Sequence, residues 1–243
     1  MRVEQQAAWI LHERPYRETS VLLEAFSREF GRVGLVARGA RRERPRFGRG
    51  ILKPLQPLGL GWMGRGELGT LTAAEAAGAP LDLQGEAVYA ALYLNELLVR
   101  LLQRNDPHPE IFVRYGECLA ELEACSGSIA WVLRRFEHDF LGMLGYALMH
   151  THDGASGERI HADRDYSYDP ERGPIPWSLR PIAPSIKGRA LLALGEPGQP
   201  EESVLRDLRR LMRSQIQHHL GGRELNAWRL FAHPPAIPRA ASE

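Results

Sequence analysis

Seven cations stand in one short stretch: Arg38, Arg41, Arg42, Arg44, Arg46, Arg49 and Lys53, against the single acid Glu43, for a local net charge of +6. Like charges at that density repel one another and are best tolerated where a polyanion offsets them. Guanidinium and ammonium groups donate hydrogen bonds to phosphate oxygens. Gly39, Gly48 and Gly50 leave the backbone able to follow an irregular phosphate chain, and Phe47 is placed to stack on a base. The stretch therefore predicts a nucleic-acid contact, with a solvated flexible loop as the competing reading.

Other residues with chemical potential are less specific. His150, His152, Asp153, His161 and Asp163 have ligand-like spacing, and two histidines one residue apart beside a carboxylate can bind zinc. A polar, glycine-containing loop also carries histidines without any ligand role, and that is the reading the sequence favours. Gly59-Leu60-Gly61-Trp62-Met63-Gly64 matches a dinucleotide-binding glycine pattern. That chemistry needs a helix N-terminus directly after the glycines, whereas here a second strand pattern follows. P-loop, G-x-S-x-G and H-E-x-x-H patterns are absent, so nothing nominates a nucleophile or a metal-activated water, and the expectation is a protein that is not an enzyme and needs no cofactor. Cys118 and Cys125 fit neither a disulfide framework nor a C-x-x-C metal clip and are expected as unbridged thiols. Arg134 with Arg135, and Arg206, Arg209, Arg210 and Arg213, could present positive helix faces to an acidic peptide. On spacing alone a solvated face with partners such as Glu202 and Arg206 is the better reading.

The elements that must position these groups change character near Pro80. Before it, five strand patterns occur at Val3 to His12, Ser20 to Ser27, Gly31 to Arg38, Leu55 to Met63 and Leu68 to Glu75, separated by Gly, Pro and Ser. Arg28 to Gly31 and Gly64 to Glu67 resemble hairpin connections. Five short strands in so few residues predict a small closed barrel of OB-fold size. After it, helical periodicity runs over Glu86 to Arg104, Pro109 to Leu122, Ile129 to Leu144, Lys187 to Leu194 and Ser203 to Leu220. Pro170, Pro174, Pro176, Pro181 and Pro184 predict an extended crossing, and the last ten residues a loose tail. The fold class is thus α+β, with domains over 1–79 and 80–243. Residues 1–79 hold 13 basic and 8 acidic groups, and the remainder 18 and 22, so the polyanion is expected on the barrel. Of the chain's 31 basic residues 29 are Arg, a bias that runs throughout and marks no particular site. No segment approaches the roughly 20 apolar residues of a membrane span. With no apolar stretch behind the first residues, a cytoplasmic location is expected.

Several ordered stretches resemble the bacterial RecO family of recombination mediators. They are Leu11-His12-Glu13-Arg14-Pro15-Tyr16-Arg17-Glu18-Thr19-Ser20, the run from Gly31 through Arg42, Tyr93-Leu94-Asn95-Glu96-Leu97-Leu98, Leu133-Arg134-Arg135-Phe136-Glu137, and Leu141-Gly142-Met143-Leu144-Gly145-Tyr146. The resemblance implies an N-terminal OB-fold on a helical domain, binding of single- and double-stranded DNA, and annealing of complementary strands. It also implies help in loading recombinase onto DNA coated by single-strand-binding protein, together with RecR, and leaves open whether RecF and RecA are contacted. Arg32, in the second of these stretches, joins the DNA-binding set. By the same resemblance Arg134 and Arg135 would take the acidic C-terminal tail of single-strand-binding protein. Many members carry a four-cysteine zinc site after the Leu-Gly-Tyr motif, but here no cysteine lies between His150 and Asp163, so that zinc is expected to be absent. Two alternatives remain: an OB-fold RNA-binding protein without annealing activity, and a metal enzyme built on the histidine cluster.

Overall fold

The structure, a computed structural model, describes residues 1–48, 50–64, 66–124, 127–181 and 185–232. The first elements are strands β1 (Arg2–Tyr16), β2 (Ser20–Ser27), β3 (Gly31–Ala37), β4 (Pro57–Met63) and β5 (Leu68–Ala76), then helices α1 (Glu86–Leu101) and α2 (Pro109–Ala124). There follow α3 (Ile129–Met143), strands β6 (Asp165–Asp169), β7 (Gly173–Pro176) and β8 (Ile186–Lys187), then α4 (Gly188–Ala193), α5 (Glu202–His219) and α6 (Ala227–Ala232).

The five strands close into a barrel in the order β1-β2-β3-β5-β4, with β3 and β5 parallel and the other pairs antiparallel. This is the expected OB-fold. β1 runs past the expected His12 to Tyr16 because Glu13, Arg14, Pro15 and Tyr16 pair with Leu23, Leu22, Val21 and Ser20. Its centre, Ala8-Trp9-Ile10-Leu11, is buried on four consecutive residues, which an alternating strand achieves only with cover on both faces. Ala8 and Ile10 enter the barrel core with Leu23, Leu35, Leu60 and Leu71. On the outer side Trp9 meets Tyr115 of α2 edge to face, centroids 5.6 Å apart, and Phe26 meets Phe112 at 5.5 Å. The β2–β3 turn closes at Gly31 (φ 65°), where a Cβ would lie 2.0 Å from the carbonyl oxygen of Asp106, so no other residue fits.

Compactness groups the residues differently from the composition shift at Pro80. One unit comprises Met1–Ala124 with the segment from Leu225, and the other Cys125–Glu224. Within the first, α1 packs on β1 and α6, and Glu96 receives the backbone N–H groups of Asn226 and Ala227 at 2.9 and 2.8 Å. Cys118 is buried on α2, whereas Cys125 and the expected tail lie outside the described residues.

In the second unit Ser128 caps α3 by accepting from the Trp131 amide, and α5 packs its Leu205, Leu208, Met212 and Ile216 stripe toward α3 and α4. Arg206, Arg209, Arg210 and Arg213 lie on its exposed side, with Asp207 bonding Arg210 and Glu224 bonding Arg213. Among the described residues the proline-rich crossing forms strands and turns and no helix, and part of it is paired: β6 sits between β7 and β8 in a three-stranded sheet, while Pro184 lies outside the described residues. Pro174 and Pro176 are accommodated because β7 is an edge strand.

Candidate nucleic-acid interface

The basic segment connects β3 to β4 at the barrel end where β1 turns into β2. Two features fasten it there. The Arg41 amide donates to the carbonyl oxygen of Thr19 at 2.9 Å, and Ala40, Phe47, Ile51 and Leu52 pack into the barrel core. The apolar residues point in, so the cations between them point out: Arg38, Arg41, Arg42, Arg44, Arg46 and Lys53 are all exposed. Gly48 and Gly50 take φ of 71° and 80° with open space where a Cβ would stand, a conformation that glycine adopts without strain. A groove of about 470 Å³ lies along this loop, with Arg41, Arg42, Gly48, Gly50 and Lys53 on one side and Glu13, Arg14 and Pro15 of β1 on the other.

Not every expected residue takes its expected part. Phe47 is only 7% exposed. Its ring belongs to the barrel core, with the Arg46 guanidinium 5.3 Å from its centroid, so it anchors the loop and offers no open face to a base. Arg32 is not in the groove. Its Nε donates to the carbonyl oxygen of Leu102 at 3.0 Å and its Nη1 to Glu24 at 2.7 Å, and Arg104 bonds the same carboxylate. That cluster ties β2 and β3 to the segment after α1 and holds Arg32 in a structural role. Arg49 lies outside the described residues. Sequence reasoning missed Arg14, which lines the groove from β1, and Arg17, exposed at the β1–β2 turn. The signal was present, since both flank Pro15-Tyr16 in the first family-like stretch, but only the antiparallel register of β1 and β2 brings that turn beside the loop.

On α3 the two expected arginines separate. Arg134 is buried and grips Glu137, itself 1% exposed, through Nε–Oε2 at 2.7 Å and Nη2–Oε1 at 2.5 Å. Both charges are out of water and bonded in parallel, the geometry a buried pair needs to persist. A direct contact of Arg134 with a peptide carboxylate is therefore not what this arrangement offers. Arg135, the next residue, faces solvent.

The histidine and glycine motifs have other uses. Asp153 accepts from the amides of Ala155 and Ser156 at 2.9 and 2.7 Å and from the Ser156 hydroxyl at 2.7 Å. Burial opposes its ionisation, but these hydrogen bonds together with one involving Glu158 prevail and hold its carboxyl below the usual range. His150 Nδ1 lies 3.1 Å from the carbonyl oxygen of Leu148, and His152 Nδ1 3.0 Å from the Thr151 hydroxyl. Among the described residues no group of three or more His, Cys, Asp and Glu side chains is placed to hold a metal ion. Gly59 and Gly61 sit within β4, which leads to β5 and not to a helix. Among the described residues no helix is long and apolar enough to cross a membrane.

Comparison with known proteins agrees with this architecture. The family model described as recombination protein O N terminal matches residues 1–80, and the one described as recombination protein O C terminal matches residues 83–229. The chain is 42% identical to the DNA repair protein RecO of Azoarcus sp. (strain BH72) over 95% of its own length and 96% of that protein's. It is 43% identical to the protein of the same name from Alkalilimnicola ehrlichii over 99% and 96%, and 44% identical to that of Methylococcus capsulatus over 95% and 93%. With both family models matched in order and relatives aligned nearly end to end, the chain belongs to the RecO family of DNA repair proteins.

Proposed function

We propose that this protein is a recombination mediator that holds single- and double-stranded DNA on the barrel groove, anneals complementary strands, and helps load recombinase onto DNA coated by single-strand-binding protein, in partnership with RecR. The observation that carries the reading is the outward array of Arg38, Arg41, Arg42, Arg44 and Arg46 on the loop, of which Arg41 and Arg42 line the groove, anchored by a buried Phe47. Such an array acts by neutralising phosphates and releasing condensed counterions, which lowers the repulsion between two strands held on one surface. Base pairing then proceeds downhill without covalent chemistry. The groove offers no exposed aromatic from the loop, so binding is expected to follow the phosphate backbone and to discriminate little between base sequences.

Docking on the acidic tail of single-strand-binding protein would concentrate the mediator at the coated strand. On α3 the exposed Arg135 is the candidate for that carboxylate, while Arg134 stays buried on Glu137.

The test combines annealing and binding. Fluorescent complementary oligonucleotides, bare and coated, are expected to anneal faster with the protein, and the coated pair only while the acidic tail is intact. Replacing Arg41, Arg42, Arg44 and Arg46 by Ala is expected to weaken binding and to reduce the single-strand salt slope by roughly 0.7 for each phosphate that is no longer neutralised. An unchanged slope removes the loop from the DNA site. A clear preference for RNA of matched length, without annealing, would replace the mediator reading with an RNA-binding one.

A further inference from the structure

The groove is not lined by cations alone. Glu13, opposite Leu23 in the β1–β2 ladder, lines the groove together with Lys53, and its Oε1 accepts from Lys53 Nζ at 2.8 Å. Both groups remain in contact with water, the lysine side chain at 64% and the glutamate at 29% exposure. Arg14, Arg41 and Arg42 line the same groove.

A carboxylate and a phosphate are both oxyanions and compete for the same ammonium. A lysine already paired at 2.8 Å contributes almost no net charge to an approaching strand and so displaces few of the cations condensed on it. It is also one of only two lysines in the chain. An ammonium is a compact point charge that exchanges partners readily, whereas an arginine fork would hold a carboxylate through two parallel bonds. The pair at this position is thus of the exchangeable kind.

Resting on the reading of this groove as a phosphate site, we propose that Glu13 is a built-in competitor for the phosphate at Lys53: a bound strand gains that contact only by displacing the glutamate. The groove then grips through its arginines and holds loosely at its Lys53 end. A loose end suits a surface that must let a strand shift until its complement pairs. The exchange also makes β1 a sensor of occupancy, because a strand on Lys53 releases the tie between β1 and the loop.

The test is a double-mutant cycle read by fluorescence anisotropy of a short single-stranded oligonucleotide at several salt concentrations. Glu13→Gln removes the charge while keeping shape and an acceptor for Lys53. It is expected to bind about threefold to tenfold more tightly at low salt, within the range of an exposed ion pair, with a salt slope steeper by about 0.7. In a Lys53→Gln background the same change is expected to give less than half that gain. An equal gain in both backgrounds would overturn the proposal, because Glu13 would then act only through the general field of the barrel. Unchanged affinity in Glu13→Gln, while the four-arginine variant loses binding, would overturn it too and leave the groove reading intact. If the four-arginine variant binds like the parent, the groove reading fails and this inference with it. Thermal unfolding of each variant checks that the barrel is unaltered.

Discussion

The exposed arginines of the barrel loop and the buried Arg134 of α3 are the same residue type, yet their surroundings send them to opposite fates. In the loop the neighbours that seek the core are Ala40, Phe47, Ile51 and Leu52, so burying them drives every described cation outward. On α3 the period is 3.6, and Arg134 falls beside Leu133 and Phe136 on the inward side, where Glu137 at i+3 neutralises it. A guanidinium becomes available to a ligand when its neighbours, not it, satisfy the core. Charge density along the chain therefore marks an interface only after the apolar residues interleaved with it have been assigned a side.

That contrast is broken most severely at Glu137. Removing it by Glu137→Ala leaves the Arg134 guanidinium buried without this carboxylate, and the expected loss is about 3–5 kcal/mol in chemical denaturation. Arg41→Ala, on the exposed loop, is expected to change stability by no more than about 0.5 kcal/mol while weakening DNA binding. If the two variants proved equally stable, the division between a structural and a functional arginine would collapse.

Phe47 sharpens the same comparison at the next level of effect. Phe47→Ala is expected to cost about 3 kcal/mol, at the low end for a buried phenylalanine because the residue keeps 7% exposure. Phe47→Leu refills most of that volume. If the ring serves the core, the leucine variant keeps its DNA affinity. If the ring stacks on a base, the leucine variant loses about 1–3 kcal/mol of binding with little change in folding.

A smaller effect is expected at Arg135. Arg135→Ala should leave stability within about 0.5 kcal/mol, as is usual for an exposed position. Affinity for a peptide carrying an acidic C-terminal tail, followed by titration calorimetry, is expected to fall. Arg135→Lys keeps the charge but not the planar fork and is expected to restore only part of it. A full restoration would mean that α3 attracts the tail through charge alone.

Much of this architecture was legible in the sequence because it rests on local pattern. The strand and helix periods, the change near Pro80 and the glycine turn at Gly31 are set by residues close in the chain, and β1 to β5 and α1 to α5 each appear within a few residues of their expected spans, whereas β6, β7, β8 and α6 were not expected. What stayed hidden depends on residues that meet only after folding. β7 carries Pro174 and Pro176, which argue against a strand until it is known to lie at the edge of its sheet. Arg14 is beside the basic loop only through the β1–β2 register. The i, i+3 spacing of Arg134 and Glu137 is visible in the sequence, but whether such a pair is solvated or buried is decided by which side of α3 packs, and spacing alone does not say. The side that Phe47 faces was hidden because an aromatic among arginines fits a stacking platform and an anchor equally well, and only the folded barrel places it in the core.

The mildest effect separates the two regions by pH. Near Arg41 the barrel loop is held by apolar burial and by a backbone hydrogen bond to Thr19. The turns at Asp153 and Asp169 are held by carboxylates. For Asp169, burial opposes ionisation, but hydrogen bonds from the Glu171 and Arg172 amides at 3.0 and 3.1 Å, with the Arg180 guanidinium, outweigh it and keep its carboxyl, like that of Asp153, below the ordinary 3.8. A group with a depressed folded pKa contributes stability that is complete above its unfolded value and is lost as pH falls through the folded one. Amide exchange at Ala155, Ser156, Glu171 and Arg172, corrected for intrinsic rates, should therefore be steady down to about pH 4 and accelerate below it. The Arg41 amide, bonded to the Thr19 carbonyl at 2.9 Å with no carboxylate involved, should keep its protection across the same interval. Equal acceleration at both places would mean that acid opens the chain globally, and that the carboxylate turns have no local part in its acid sensitivity.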